Sequence, residues 1–466
     1  MKNRDKMNFD GNTPQNRESE LSECQGESLG SRFAKRNVTD LKDSGIPWIG
    51  KIPKDWEIVR TKNVFTQGKE LVGENSSSTQ LLSLTTRGIK EVEIGSTSGK
   101  VPDSYNTYQL VKKDNMVMCL FDLDCSAVFS GLSPYEGMIS PAYKVLTVKE
   151  GFKPKFYDYW FNYIFDGRKY MFLSKNIRYS LTYDEFASLG IVKPPILEQK
   201  AIAEFLDRKC GEIDKLVALQ DKMIEELKAY KQSIITETVT KGLNPNVPLK
   251  DSGIEWIGEI PQHWKVVRLG AIGSTINGIS KDASSFGEGF PFVSYKDVYN
   301  HYNLPNTVNG LVKSNENEQK VFSVNYGDIF FTRTSETIEE IGFSSVCLNS
   351  IPNAVFAGFL IRFRPIPNII EPKFSKFFFR AICHRNYFVK EMNLVTRASL
   401  SQNLLKSMPV LLPPLFEQQE IADFLDKKCS EIDSLIELKQ QKIEELKDYK
   451  KSIIYEYVTG KKSVGT

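Results

Sequence analysis

The sequence predicts a mixed α/β protein in which two globular bodies are joined by two long antiparallel coiled-coil helices, an internal duplication with an approximate two-fold relation. Three observations predict it: the chain is written twice, each copy closes on a stretch of about 40 residues with helical periodicity, and that stretch is too long to bury its seam against one small body. At 466 residues the chain also exceeds what one compact core accommodates.

The repeat has two parts. Leu41–Arg60 (LKDSGIPWIGKIPKDWEIVR) and Leu249–Arg268 (LKDSGIEWIGEIPQHWKVVR) agree at 14 of 20 positions, 208 residues apart. Pro194–Thr240 and Pro413–Thr459 agree at 29 of 47, 219 residues apart. Between them, residues 61–193 and 269–412 are alike in length and little else. Matched ends around unmatched middles suggest one scaffold presenting two different surfaces. The assignment is a disordered polar tail over 1–40, a first body over 41–193, a central helix over 194–242, a second body over 243–412 and a C-terminal helix over 413–461.

Each helix is announced by a proline pair, Pro194-Pro195 and Pro413-Pro414, which ends the preceding segment. Steps of four and three from Ile202 give Leu206, Lys209, Ile213, Leu216, Gln220, Met223, Leu227, Tyr230 and Ile234, and the second copy gives the same from Ile421 to Ile453, so both read as heptad seams. A helix of that length finds its natural partner in its own copy, and if equivalent faces meet the two run antiparallel. The tryptophans of the lead-in motif, Trp48, Trp56, Trp256 and Trp264, read as structural wedges.

Composition narrows the classes. Basic and acidic residues nearly balance, 61 against 58, which neither requires nor excludes a nucleic-acid partner. Seven scattered cysteines with no C-x-x-C pair argue for reduced thiols in a cytoplasmic protein and against a disulfide framework or zinc ribbon. No apolar run approaches the roughly 18 residues needed to cross a membrane.

The motifs D-S-G-I-x-W-I-G-x-I-P-x-x-W at Asp43 and Asp251, and P-P-x-x-E-Q-x-x-I-A-x-F-L-D at Pro194 and Pro413, resemble the specificity subunits of Type I restriction-modification systems. The resemblance covers essentially everything after residue 40, duplicated and in order. It implies two target recognition domains, each reading one half of a bipartite double-stranded DNA target, with the helices as a ruler for the unread spacer. It also implies docking of two methyltransferase subunits and, through them, of restriction and translocase subunits. S-adenosylmethionine, ATP and Mg would belong to those partners and no cofactor to this chain, which would choose the site without catalysing.

Candidate DNA-binding residues follow from scraps of likeness between the bodies. Arg178-Tyr179-Ser180-Leu181 aligns with Arg397-Ala398-Ser399-Leu400, so each body offers a guanidinium and a hydroxyl, suited either to bases and phosphates or to fixing a loop. In the second body, Tyr326-Gly327-Asp328 leads through Ile329-Phe330-Phe331 to Thr332 and Arg333, while the first body has Leu120 where Arg333 would fall. Thr85 and Arg87 of the first body, and Tyr295 and Lys296 of the second, sit where apolar strands turn polar; Lys100, with Lys90 and Lys175, can add phosphate contacts. The aromatic runs Phe156–Tyr163 and Phe374–Phe379 have helical spacing and read as core.

The chain lacks the N/D-P-P-Y/F motif of an adenine methyltransferase. Gly95–Val101 imitates a phosphate loop but is one residue short between its glycines, Phe286–Gly289 reads as a glycine-rich turn, and the three histidines have no metal-site spacing. Two other readings stay open from sequence: a two-headed protein–protein adaptor, and a self-contained nuclease or methyltransferase.

Overall fold

The computed structural model describes residues 36–86, 88–94, 102–124, 128–166, 168–173, 178–335, 341–391 and 398–464. The chain divides into two compact units, one of residues 1–218 with 443–466 and one of residues 219–442. Each unit therefore holds one body and part of both long helices.

In the first unit the lead-in motif forms a neck. Leu41–Asp43 pairs antiparallel with Lys51–Pro53, and Glu57–Arg60 pairs antiparallel with Gly190–Lys193, joining the start of the body to its end. Above the neck lie two four-stranded sheets built from β1 (Phe65–Gln67), β2 (Leu81–Thr85), β3 (Gly88–Val92), β4 (Gln109–Val111), β5 (Met116–Met118), β6 (Ser130–Leu132), β7 (Gly137–Ile139) and β8 (Lys144–Val148). Their orders are β1-β8-β5-β6 and β3-β2-β7-β4. Helix α1 (Pro154–Asp166) buries Phe156, Tyr157, Trp160, Phe161 and Ile164 in the core, as their spacing predicts, and the long helix α2 spans Ile196–Lys241.

The second body repeats this plan although its sequence does not. Its neck pairs Leu249–Asp251 with Glu259–Pro261 and Lys265–Arg268 with Pro409–Leu412. Its strands are β9 (Gly273–Asn277), β10 (Phe286–Val293), β11 (Gly310–Val312), β12 (Ile329–Thr332), β13 (Ser344–Val346), β14 (Val355–Phe356) and β15 (Leu360–Pro365), in the orders β9-β15-β12-β13 and β11-β10-β14. In each body one pair is parallel, β7 with β2 and β14 with β10. Helix α3 (Tyr295–Asn300) lies between β10 and β11, α4 (Pro372–Phe378) follows β15, and the second long helix α5 spans Leu415–Val458. Phe286–Gly289, expected as a turn, is instead the bulged start of β10; a Cβ on Gly289 would stand 2.6 Å from the Val312 carbonyl oxygen.

One exchange shows how unlike sequences hold one fold. Where the second body has Asp328, buried and ion-paired with Arg364 at 2.6 Å, the first has Asn115, whose amide donates to the Thr147 hydroxyl at 3.1 Å. Both side chains also accept from a backbone N–H three residues earlier, Asn325 at 2.7 Å and Lys112 at 2.8 Å, closing the same turn. Gly327 takes that turn at φ +84° and Asp114 at φ 63°. The Gly-Asp pair is thus a turn and the buried carboxylate of an ion pair, at the opposite end of β12 from Arg333. Next to it, burial pushes the Arg362 guanidinium down to about 10 and the Cys347 thiol up to about 12.

Within each unit the two long helices run antiparallel. In the first, the Phe205 ring packs tilted against Tyr457 at 4.4 Å and Lys450 donates to Asp214 at 2.7 Å; in the second, Lys231 donates to Asp433 at 2.6 Å. The two ion pairs are one pair repeated at the 219-residue offset with the helices exchanged. The seam differs from the heptads expected. Leu216 and Tyr230, assigned to it, are exposed, as are Leu435 and Tyr449, while isoleucines eleven residues apart are buried: Ile202, Ile213, Ile224 and Ile235 on α2, and Ile421, Ile432, Ile443 and Ile454 on α5. Eleven residues in three turns, about 3.67 per turn, lies close to the natural helix, so the buried stripe runs without the winding a heptad demands.

The repeated E-Q of each proline motif locks neck to helix. Trp56 and Trp264 are fully buried and donate their indole N–H to Glu198 and Glu417, both at 2.9 Å. Gln199 accepts the Lys153 N–H and donates to the Pro194 carbonyl; Gln418 does the same with Glu371 and Pro413. The wedge reading of these tryptophans therefore has its partners. Residues 1–35 of the expected tail lie outside the described residues, but 36–40 belong to the fold, since Arg36 pairs with Glu198 and lies over the Trp56 ring. Cys119, Cys210, Cys347, Cys383 and Cys429 are buried free thiols, and no described helix is long and apolar enough to cross a membrane.

Candidate nucleic-acid interface

Each body ends its central strand, β5 or β12, at the same kind of tip. The Leu181 N–H donates to the Leu120 carbonyl at 2.7 Å, and the Leu400 N–H donates to the Arg333 carbonyl at 2.7 Å. This pair of bonds makes Leu120 and Arg333 structural equivalents, as their sequence alignment supposed. Leu120 is buried and apolar; Arg333 is half-buried and, among the described residues, has no side-chain partner.

In the first body, Arg178 is exposed and pairs with Asp122 at 3.2 Å. Ser180 is committed to the loop, its hydroxyl accepting the Asp122 N–H at 2.8 Å. Tyr179 is half-buried against the core. Tyr179 and Asp122 hold positive φ, 49° and 47°, which non-glycine residues seldom adopt, so the loop beside Arg178 is strained. Thr85 closes the β2–β3 hairpin, donating its hydroxyl to the Gly88 carbonyl at 2.8 Å, and Lys90 is exposed on β3.

The second body brings several expected residues together. Thr334 pairs with Ser399 in a short two-stranded ribbon beside Arg333, and Ser399 is exposed. Tyr295 opens α3 behind its cap Ser294, whose hydroxyl accepts the Asp297 N–H. Tyr295 stacks on Tyr299 at 5.8 Å, and Tyr299 packs at 5.2 Å on Phe343, whose carbonyl accepts the Thr332 N–H at 2.8 Å. This ladder ties Tyr295, with exposed Lys296 beside it, to the end of β12. Arg380 clamps α3 in place, donating to the Val298, Tyr299 and His301 carbonyls and to Ser344.

Thr332 is a correction. It is fully buried inside β12 and offers no surface to DNA, because the strand runs one residue further than its polar sequence suggested. Arg87, Lys100, Lys175 and Arg397 lie outside the described residues, as does the imitation phosphate loop at 95–101. Two residues were missed. Phe359, whose carbonyl accepts the Arg333 N–H at 2.9 Å, is 64% exposed, and Phe121, next to Leu120, is 39% exposed. A phenylalanine at a strand end looks in sequence like any core residue, so only the position of the turn reveals them.

The comparisons with known proteins agree with this architecture. Residues 261–448 match the family model of the Type I restriction modification DNA specificity domain. A Methanocaldococcus jannaschii protein named as the MjaX type I restriction enzyme specificity subunit is 27% identical over 448 residues, covering 90% of this chain and 96% of its own. Among solved structures, a chain from work on complex assembly and conformational transition of the type I R-M system superposes with a TM-score of 0.67 at 17% identity, covering 88% of this chain and 99% of that one. The HsdS subunit of Thermoanaerobacter tengcongensis gives 0.51 at 18% identity, covering 88% and 98%. The motifs, the duplicated fold and these likenesses agree, and together they support a type I restriction-modification specificity subunit.

Proposed function

We propose that this chain selects a bipartite DNA target for a type I restriction-modification complex, each body reading one half. The observation that carries the reading is that one plan, built twice, presents different side chains at equivalent tips: Arg178 beside buried Leu120 in the first body, Arg333 with Ser399 and Tyr295 in the second. Arginine suits guanine edges and phosphates, and tyrosine and serine suit positioning. The chain supplies recognition and no chemistry. S-adenosylmethionine, ATP and Mg serve partner subunits that methylate a flipped adenine, translocate and cut, in the cytoplasm where the DNA is.

Methyltransferase subunits dock along the long helices. Support comes from apolar side chains that both helices leave exposed at matched positions: Leu216 and Leu435, Leu219 and Leu438, Tyr230 and Tyr449.

The test is methylome sequencing of cells expressing this chain with its partner methyltransferase, beside cells in which residues 269–412 are replaced by another body. Adenine methylation at a split motif, with one half changed by the replacement, is the expected result. Assembly on duplex DNA with no motif overturns it and favours an adaptor.

A further inference from the structure

We infer that Phe359 is a specificity-determining residue of the second body, its ring meeting the 5-methyl group of a thymine while Arg333 beside it holds a neighbouring guanine or phosphate. The inference rests on the DNA-reading function proposed above and names a residue and a base feature within it.

Phe359 stands out between neighbours that are hidden: Ala357 and Leu360 are buried, and the ring between them is largely in solvent. The segment that carries it is stiff. The Leu360 N–H donates to the Ala357 carbonyl at 2.9 Å, closing a tight turn, and Gly278 and Ile279 donate to Leu360 at 3.2 Å and to Phe356 at 2.9 Å from the adjoining strand. A Cβ on Gly358 would come within 2.6 Å of the Ser280 hydroxyl, so the backbone there is pressed against its support. The ring is therefore held outward by a rigid turn, the arrangement a pre-organised contact needs.

Its surroundings point to nucleic acid. The Arg333 N–H donates to the Phe359 carbonyl, and the Arg333 carbonyl accepts from Leu400, so Phe359, Arg333 and the segment that carries exposed Ser399 form one row. The first body repeats the composition by other means: Phe121 is exposed next to Leu120, and Arg178 reaches the same loop through Asp122. Phe121 follows β5 and its ring lies 5.9 Å from Tyr143, whereas Phe359 precedes β15, so the two phenylalanines come from different positions in the fold, each beside the tip residue of its own body. A phenyl ring neither donates nor accepts a hydrogen bond, and thymine's methyl is the apolar feature that base edges offer in the major groove.

The experiment uses the full chain assembled with its partner methyltransferase subunits. Once the methylome and the body replacement have assigned a half-site to the second body, each thymine of that half is replaced by uracil, which removes the methyl alone. Wild type should bind about fourfold more weakly at one such thymine, the weight of one methyl group. Phe359→Ala should lose that sensitivity and keep all others, with its methylated motif relaxed at that position. Phe359→Leu, which retains an apolar side chain, guards against misfolding and should keep part of the discrimination. The inference fails if the half-site holds no thymine, if wild type is indifferent to every uracil, or if Phe359→Ala retains the penalty or weakens all duplexes alike. If wild type yields no split motif, the DNA-reading function itself has failed, a result distinct from these.

Discussion

The indole N–H of Trp264 meets the Glu417 carboxylate at 2.9 Å with the ring fully buried, and Glu417 also contacts His263 Nε2 at 2.6 Å. The bond fastens the neck of the second body to the first turn of its helix. Glu417→Ala leaves a buried donor unsatisfied and should cost about 1–3 kcal/mol, read as a lower melting temperature. Glu417→Gln keeps an acceptor and should cost less.

Buried Asp328 and half-buried Arg364 form an ion pair in the second body where the first has Asn115 and Thr147. Asp328→Asn strands the Arg364 charge, but that guanidinium is one-third exposed and partly solvated, so the variant should destabilise by about 1–3 kcal/mol. The double variant Asp328→Asn with Arg364→Thr installs the first body's solution and should recover most of that loss in a denaturant titration. A double variant as unstable as the sum of the singles would show that the surroundings, and not the pair, decide.

Burial lowers the His384 imidazole to about 3, and among the described residues neither ring nitrogen has a hydrogen-bond partner; the ring lies 4.2 Å from Phe378. Unfolded, the same group titrates near 6.5. The unfolded chain therefore binds the proton that the folded chain refuses. The histidine's contribution to stability is complete above about 6.5 and is lost as pH falls towards 3. His384→Leu should flatten the stability profile between pH 6.5 and 5 without weakening the protein at pH 7.5.

The Arg178–Asp122 pair is exposed on both sides, and such pairs contribute at most about 1 kcal/mol. Arg178→Ala should leave the melting temperature unchanged while lowering DNA affinity. If its contact is to phosphate, the salt dependence of binding falls by about one ion and the motif is unchanged; if to a base, one position of the first half relaxes. Unchanged binding would return Arg178 to a loop-fixing role.

Much of the molecule was legible because the chain states it twice. The neck strands, the Trp–Glu lock and both long helices come from segments whose repetition marks them as scaffold. The helix seam was misphased because Leu216, Leu227 and Tyr230 fit a heptad, whereas the isoleucines from Ile202 to Ile235, eleven apart, carry the packing. The tips were the least legible. Whether Thr332 or Arg333 meets solvent depends on where β12 ends, and whether Phe359 is core or surface depends on a turn fixed by Gly278 and Ile279, far away in sequence.

The first unit is discontinuous: its core combines Ile202, Leu206 and Ile213 with Ile453, Ile454, Tyr457 and Val458, whereas the second unit is one unbroken stretch ending at Lys442. During synthesis, domains generally mature in the order in which they leave the ribosome. Here the order inverts. The helix face of the first unit stays uncovered until residues 443–464 have been made, after the whole of the second unit, so a chain cut short before Ile443 leaves the first unit, and not the second, without part of its core.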